Sequence, residues 1–201
     1  MDWLAYEKEY LSQGKKFICG VDEAGRGPLA GPVYAAAVIL PSDGLLIDEN
    51  VNDSKKISEK KRNHLYDVIC SKAYKFSIAS ASVEEIDSIN ILNATYLAMK
   101  RAIEGLIIDP DIVLVDGNML PKWKYNSKAI VKGDATCHSI ACASILAKVS
   151  RDRFMVSESE KYPEYMLEKH KGYGTKFHID AIKKHGICPL HRKTFLKKIL
   201  K

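Results

Sequence analysis

The sequence predicts an α/β fold that ends in a helical appendage, and three observations carry this expectation. Short apolar runs recur at strand length, bounded by Gly, Pro or acidic residues. Between them, longer segments repeat their apolar residues at helical spacing. Past Pro163 the chain turns basic and helical in pattern. With 201 residues, 46% of them hydrophobic, the chain can bury a core without help from disulfides.

The first strand is expected at Phe17 to Val21, ending at Asp22, and the second at Val33 to Leu40 between Pro32 and Pro41. A Gly/Pro-rich connection joins them. Ser58 opens a helix with Leu65, Val68 and Ile69 on one face, and Tyr74 to Ala81 reads as the next strand. Ile91, Thr95, Ala98, Ala102 and Leu106 mark a helix over 90–107, which Pro110 separates from the strand Ile112 to Val115. Helix followed by strand implies a crossover onto a sheet. A short strand near Ala129 to Val131 comes before Lys132-Gly133-Asp134, and the Ala-rich segment from Ser139 to Phe154 reads as a helix packed closely on that sheet. No internal repeat or low-complexity linker interrupts the order.

The five cysteines are odd in number and scattered, which argues for a reducing compartment. The N-terminus carries acids where a secretory signal carries positive charge, and no apolar run reaches membrane-spanning length. The expectation is a cytoplasmic, membrane-free protein, with a monomer as the default. A net charge of +6 is compatible with polyanionic partners and decides nothing alone.

Four acids stand where apolar segments meet loops or helix starts: Asp22, Glu23, Asp116 and Asp134. Hydrolysis of a phosphodiester by two divalent cations needs several carboxylates that hold the ions roughly 4 Å apart, and Mg²⁺ or Mn²⁺ suits such oxygen donors. Each acid taken singly also has an ordinary structural reading. Asp134 would serve as a helix N-cap, Asp116-Gly117 as a turn, and Asp22-Glu23 as a solvated strand end.

The string from Gly20 through Asp22-Glu23-Ala24-Gly25-Arg26-Gly27 to Val33 resembles the first motif of bacterial ribonuclease HII. Its companions follow in order: Asn52-Asp53-Ser54-Lys55-Lys56, Asn90 to Thr95, Val115 to Asn118, Lys132 to Asp134, Ala143 to Asp152, His170 to Thr175, and His191-Arg192. The resemblance spans nearly the whole chain and implies a ribonuclease H-like mixed sheet flanked by helices. It divides the chain into a catalytic domain over 1–160 and a helical region over 161–201 that completes the substrate cleft.

By the same resemblance Asp22, Glu23, Asp116 and Asp134 are catalytic carboxylates that bind Mg²⁺ or Mn²⁺. Gly25, Arg26 and Gly27 form a turn whose backbone senses a 2′-hydroxyl at an RNA-to-DNA junction, a group that only ribose offers. Tyr173 stacks on the deoxyribose beyond the junction. Lys55, Lys56 and Lys148 are candidate phosphate or active-site contacts. The implied partners are RNA/DNA hybrids and ribonucleotide-containing duplex DNA. The implied activity is endonucleolytic cleavage 5′ of the ribonucleotide, leaving 5′-phosphate and 3′-hydroxyl ends.

Other classes fit less well. Gly25, Gly27 and Gly31 miss the dinucleotide-binding spacing by one residue, and no Walker lysine motif occurs. Neither Cys137, His138 and Cys142 nor His185, Cys188 and His191 has the paired spacing of a structural zinc site. A non-catalytic hybrid binder gains nothing from four acids that repel phosphate. Ribonuclease HIII typically carries Gly-Lys-Gly in the first motif and an added N-terminal domain.

Overall fold

Alternation of side chains along two central strands decides which helices cover which face. β1 (Ile18–Ala24) and β2 (Val33–Ile39) are almost wholly buried, as strands covered on both sides must be. In the computed structural model, which describes residues 2–41, 51, 57–197 and 199–200, they lie beside β3 (Lys75–Ala81), β4 (Ile112–Asp116) and β5 (Ser127–Ile130). The strand order is β3-β2-β1-β4-β5. β2 runs antiparallel to β1 and β3, whereas β4 runs parallel to both β1 and β5, so the sheet is mixed.

Odd-numbered residues Cys19, Val21, Val33, Ala35, Ala37 and Ile39 pack under α3 (Val83–Glu104). Even-numbered Ala36 and Val38 pack under α4 (His138–Ser159) and α2 (Glu59–Lys72). The same parity sends Asp22 toward α4 and Glu23 toward α3.

α4 is the central helix, and it lies close on the sheet because its own residues are small and because β1 offers Gly20 beneath it. A Cβ at Gly20 would fall on the backbone of Ser139 and Ile140. Gly20→Ala is therefore expected to cost about 2–3 kcal/mol, read as a lower denaturant midpoint at unchanged m-value, because neither backbone can yield without lifting α4. The helix start is held by α1 (Ala5–Ser12), whose buried Glu7 carboxylate accepts from Ser139 N at 2.9 Å and Ser139 Oγ at 2.8 Å. A carboxylate at that end meets both orphan N–H groups and the positive end of the helix dipole.

α3 differs from expectation at its start. Ser82 and Glu85 form a capping box, so the helix begins at Val83, and Asn90 (φ 67°) kinks it. Asn90 Oδ1 accepts from Asn93 N at 3.1 Å, which caps the second half at the residue where the apolar period begins. α2 starts on Ser58, whose hydroxyl accepts from Lys61 N.

After α4 come a 3₁₀ turn at Pro163–Tyr165 and three short helices, α5 (Leu167–His170), α6 (Lys176–His185) and α7 (Lys193–Leu196). They share a cluster of buried residues with Ala30 and Met155, namely Tyr165, Leu167, Ala181, Ile182 and Leu196. This is the helical appendage the sequence announces, and it packs mainly on the β1–β2 connection and the end of α4, with Phe195 reaching the core between the sheet and α3. Among the described residues no helix is long and apolar enough to cross a membrane.

Candidate active site

Parallel pairing of β1, β4 and β5 carries the acidic residues to one end of the sheet. Val21 stands opposite Val115, so Asp22 and Asp116 follow side by side, and Asp116 stands opposite Ile130 at the end of β5. The C-terminal ends of parallel strands are where open sheets build their sites. Asp22 and Glu23 lie within β1 rather than beyond it, because pairing with β2 continues through Ala24. Asp134 sits in a 3₁₀ turn (Gly133–Ala135), and α4 begins only after Cys137, so Asp134 is not its N-cap.

The carboxylates are tied to one another through backbone. Asp116 Oδ1 accepts from Gly133 N at 2.7 Å and from Asp134 N at 3.4 Å, which draws the β5 turn onto the β4 end. Asp22 Oδ1 accepts from Glu23 N at 2.6 Å, and the Ser144 hydroxyl of α4 donates to the Asp22 carboxylate. Only 5% of Asp22 is exposed. Its burial, then the charges of Glu23 and Asp116, push its carboxyl well above the usual range.

Glu23 lies 3.6 Å from the Arg26 guanidinium across an i,i+3 pair. Among the described residues no three His, Cys, Asp or Glu side chains already converge as a cage for a metal ion. The donor chemistry nonetheless suits a hard divalent cation: four carboxylates at one sheet end, two of them buried, with Glu23 and Asp116 raising the cost of the charge on Asp22.

Gly25, Arg26, Gly27, Lys148 and Tyr173 border one cavity of about 290 Å³ together with Glu23, Ala24, Ser144 and Arg151. Gly25 has φ 99°, and a Cβ there would strike the Arg151 side chain, so both the turn and the buried arginine require glycine. A Cβ at Gly27 would stand 3.8 Å from the Tyr173 ring, which places the turn against the tyrosine. Tyr173 is 45% exposed. Lys148 is tethered to Asp152 at 2.8 Å on the next turn of α4. A second, smaller cavity joins Glu23, Arg26 and Asp116 to Thr95, Tyr96 and Met119. Lys55 and Lys56, with the rest of their motif, lie outside the described residues.

Sequence reading quoted Ser144, Arg151 and Arg192 within its motifs but gave them no role. Arg151 donates to the carbonyls of Pro32, Ala30 and Lys171, and Arg192 to those of Gly25, Arg26, Pro28 and Gly31. Burial, then the charge of Arg151, lowers the Arg192 guanidinium to about 9, which leaves it charged at neutral pH. Cys137 donates its thiol to Glu7, and Cys188 and His191 bond each other, so both groups set aside as zinc candidates have internal partners.

A mixed sheet of this order, with acids at the ends of its parallel strands and a cleft walled by lysine, arginine and tyrosine, defines a nuclease of the ribonuclease H-like fold. The model of one family, Ribonuclease HII, matches residues 19–198, and the chain belongs to that family. The ribonuclease HII of Caldicellulosiruptor bescii is 57% identical over 199 residues, covering 99% of this chain and 96% of that protein. The enzyme of Idiomarina loihiensis is 57% identical over 178 residues, or 89% and 94% of the two chains. Among solved structures, the ribonuclease H2 of Pyrococcus horikoshii is similar with a TM-score of 0.76 at 27% identity, covering 92% of this chain and 97% of that one. The ribonuclease HII of Archaeoglobus fulgidus, solved in complex with PCNA, has the same TM-score of 0.76 at 25% identity, over 89% and 94% of the chains.

Proposed function

We propose that this enzyme hydrolyses the RNA strand of RNA/DNA hybrids and cuts 5′ of ribonucleotides embedded in duplex DNA, leaving 5′-phosphate and 3′-hydroxyl ends, with Mg²⁺ or Mn²⁺ bound by Asp22, Glu23, Asp116 and Asp134. The observation that carries this reading is the shared cavity. The Gly25–Gly27 turn, Lys148 and Tyr173 border it with Glu23, next to the acidic strand ends, so a backbone read there has its phosphate at the acids. Divalent cations, when bound, supply an acidified attacking water and stabilise the leaving oxygen.

The rest of the work falls to the chain. The turn reads the ribose through backbone groups, and the exposed face of Tyr173 takes the neighbouring sugar by stacking contact. Lys148 supplies positive charge near the phosphate, and Lys55 does the same from its own motif. Region 161–201 completes the cleft, because it brings Tyr173 to Gly27.

A duplex carrying one embedded ribonucleotide tests the reading. Cleavage 5′ of the ribonucleotide is expected with Mg²⁺ or Mn²⁺ and its loss with EDTA; cleavage that persists in EDTA, or cuts elsewhere, sinks it. Tyr173→Ala is expected to weaken cleavage of that duplex, chiefly through KM, by about tenfold.

A further inference from the structure

Arg192 is fully buried, and its side-chain hydrogen bonds go to main-chain carbonyls. Stripping a guanidinium of water costs several kcal/mol unless its donors find partners. Here one loop meets them. The Gly25 carbonyl accepts at 2.6 Å, and those of Arg26, Pro28 and Gly31 accept at 2.9 Å each. The main chain reinforces the contact, since Arg192 N donates to Leu29 O at 2.9 Å and Gly31 N to Leu190 O at 2.8 Å.

A planar trans peptide sets its N–H opposite its C=O, and no described peptide is cis. Turning the Gly25 and Arg26 carbonyls onto Arg192 therefore turns the N–H groups of Arg26 and Gly27 away from it. Arg192 stands behind the loop, outside the cavity that Gly25, Arg26, Gly27 and Tyr173 border.

We infer that Arg192 is a positioning residue for substrate choice: by fixing those two carbonyls it presents the Arg26 and Gly27 N–H groups as a rigid donor pair for the ribose hydroxyl at the junction. This role rests on the proposed function. Lys at position 192 keeps the charge but lacks the planar fork that spans four carbonyls.

The experiment compares kcat/KM on a duplex with a single embedded ribonucleotide against kcat/KM on a continuous RNA/DNA hybrid. Arg192→Lys is expected to lower that ratio about tenfold or more, because a single embedded ribonucleotide offers one hydroxyl in one register to the misplaced donor pair, whereas a continuous hybrid offers a ribose in every register. Leu196→Ala, in the buried cluster that includes Ala30, lowers the melting temperature but removes none of the hydrogen bonds to the Gly25 and Arg26 carbonyls, and is expected to hold the ratio within about twofold. Should Arg192→Lys fail to fold, Phe195→Leu decides. The Phe195 ring lies 5.1 Å from the guanidinium, and replacing it is expected to lower the ratio about threefold.

An unchanged ratio in folded Arg192→Lys, or in Phe195→Leu where Lys does not fold, overturns the role. So does an equal fall in Leu196→Ala. Wild type that cuts neither duplex with Mg²⁺ or Mn²⁺ overturns the function beneath it, a result distinct from wild type that cuts both while Arg192 proves indifferent.

Discussion

Asp22→Asn is expected to abolish cleavage and at the same time to make the metal-free protein harder to unfold. Asp22 is 5% exposed, and burial together with Glu23 and Asp116 raises its carboxyl well above the usual range. A group whose folded pKa exceeds its unfolded value of 3.8 binds its proton more tightly when folded. The resulting stability is fully present below the unfolded value and is lost as pH rises through the folded one. At neutral pH, relative to a neutral side chain in the same place, the carboxyl is a net cost to folding.

Asparagine removes that cost. Its amide oxygen can still accept from Glu23 N, which lies 2.6 Å from Asp22 Oδ1. The expected gain in EDTA is roughly 1 kcal/mol, or about 2–4 °C in melting temperature for a chain of this size. The expected loss in kcat is roughly 10³-fold, about 4 kcal/mol of transition-state stabilisation. Titration with Mn²⁺ separates the two roles: the wild-type melting temperature is expected to rise with Mn²⁺, and that of Asp22→Asn much less. A variant that melts lower in EDTA, or that retains cleavage within about tenfold, contradicts the assignment of Asp22 as a buried ligand.

What the sequence made legible was whatever side-chain type and spacing encode. The central strands read correctly because they are apolar on both faces, and α4 because its small residues repeat over Gly20. The first half of α3 was lost, although Ser82 and Glu85 spell a capping box, because the apolar period becomes regular only after the Asn90 kink. Asp22 and Glu23 read as a strand end, since nothing local shows that β2 keeps pairing with β1 to Ala24.

α1 escaped for another reason. Its buried residue is Glu7, an acid that composition assigns to solvent and that only the distant Ser139 explains. Arg192 is the clearest instance. Its partners are carbonyl oxygens of Gly25 and Gly31, more than 160 positions earlier, and a carbonyl has no sequence signature. The acidic set was legible as types and order, and its geometry followed once β1, β4 and β5 proved parallel.

Stability is expected to fall as pH drops from about 6.5 toward 4, and a chain of hydrogen bonds beneath Tyr173 explains why. Cys188 N donates to His191 Nδ1 at 3.0 Å, so His191 carries its proton on Nε2. That nitrogen lies 3.1 Å from His178 Nε2, which must accept, and His178 Nδ1 then donates to the Tyr173 carbonyl at 2.9 Å. The tautomers follow from the network. Both rings are buried, and a proton added at His178 Nε2 would face an N–H. Burial, with the neighbouring His170 and His191, lowers His178 from 6.5 to about 4, against the opposing bond to Tyr173.

The sign follows from the unfolded chain, which takes up a proton near 6.5 while the folded chain refuses it down to about 4. The stabilisation is complete above 6.5 and declines through that window, by roughly 3 kcal/mol in all. Urea unfolding between these limits measures it. His178→Gln is expected to flatten the slope while lowering stability at pH 7.5 by about 1–3 kcal/mol, because His191 Nε2 and the Tyr173 carbonyl lose their partner. An equal slope in the variant would show that other groups carry the acid sensitivity. The proton strikes the His178–His191 contact and leaves the Nδ1 bond to the Tyr173 carbonyl in place, so the acid loss falls on the core beneath Tyr173 rather than on its tether.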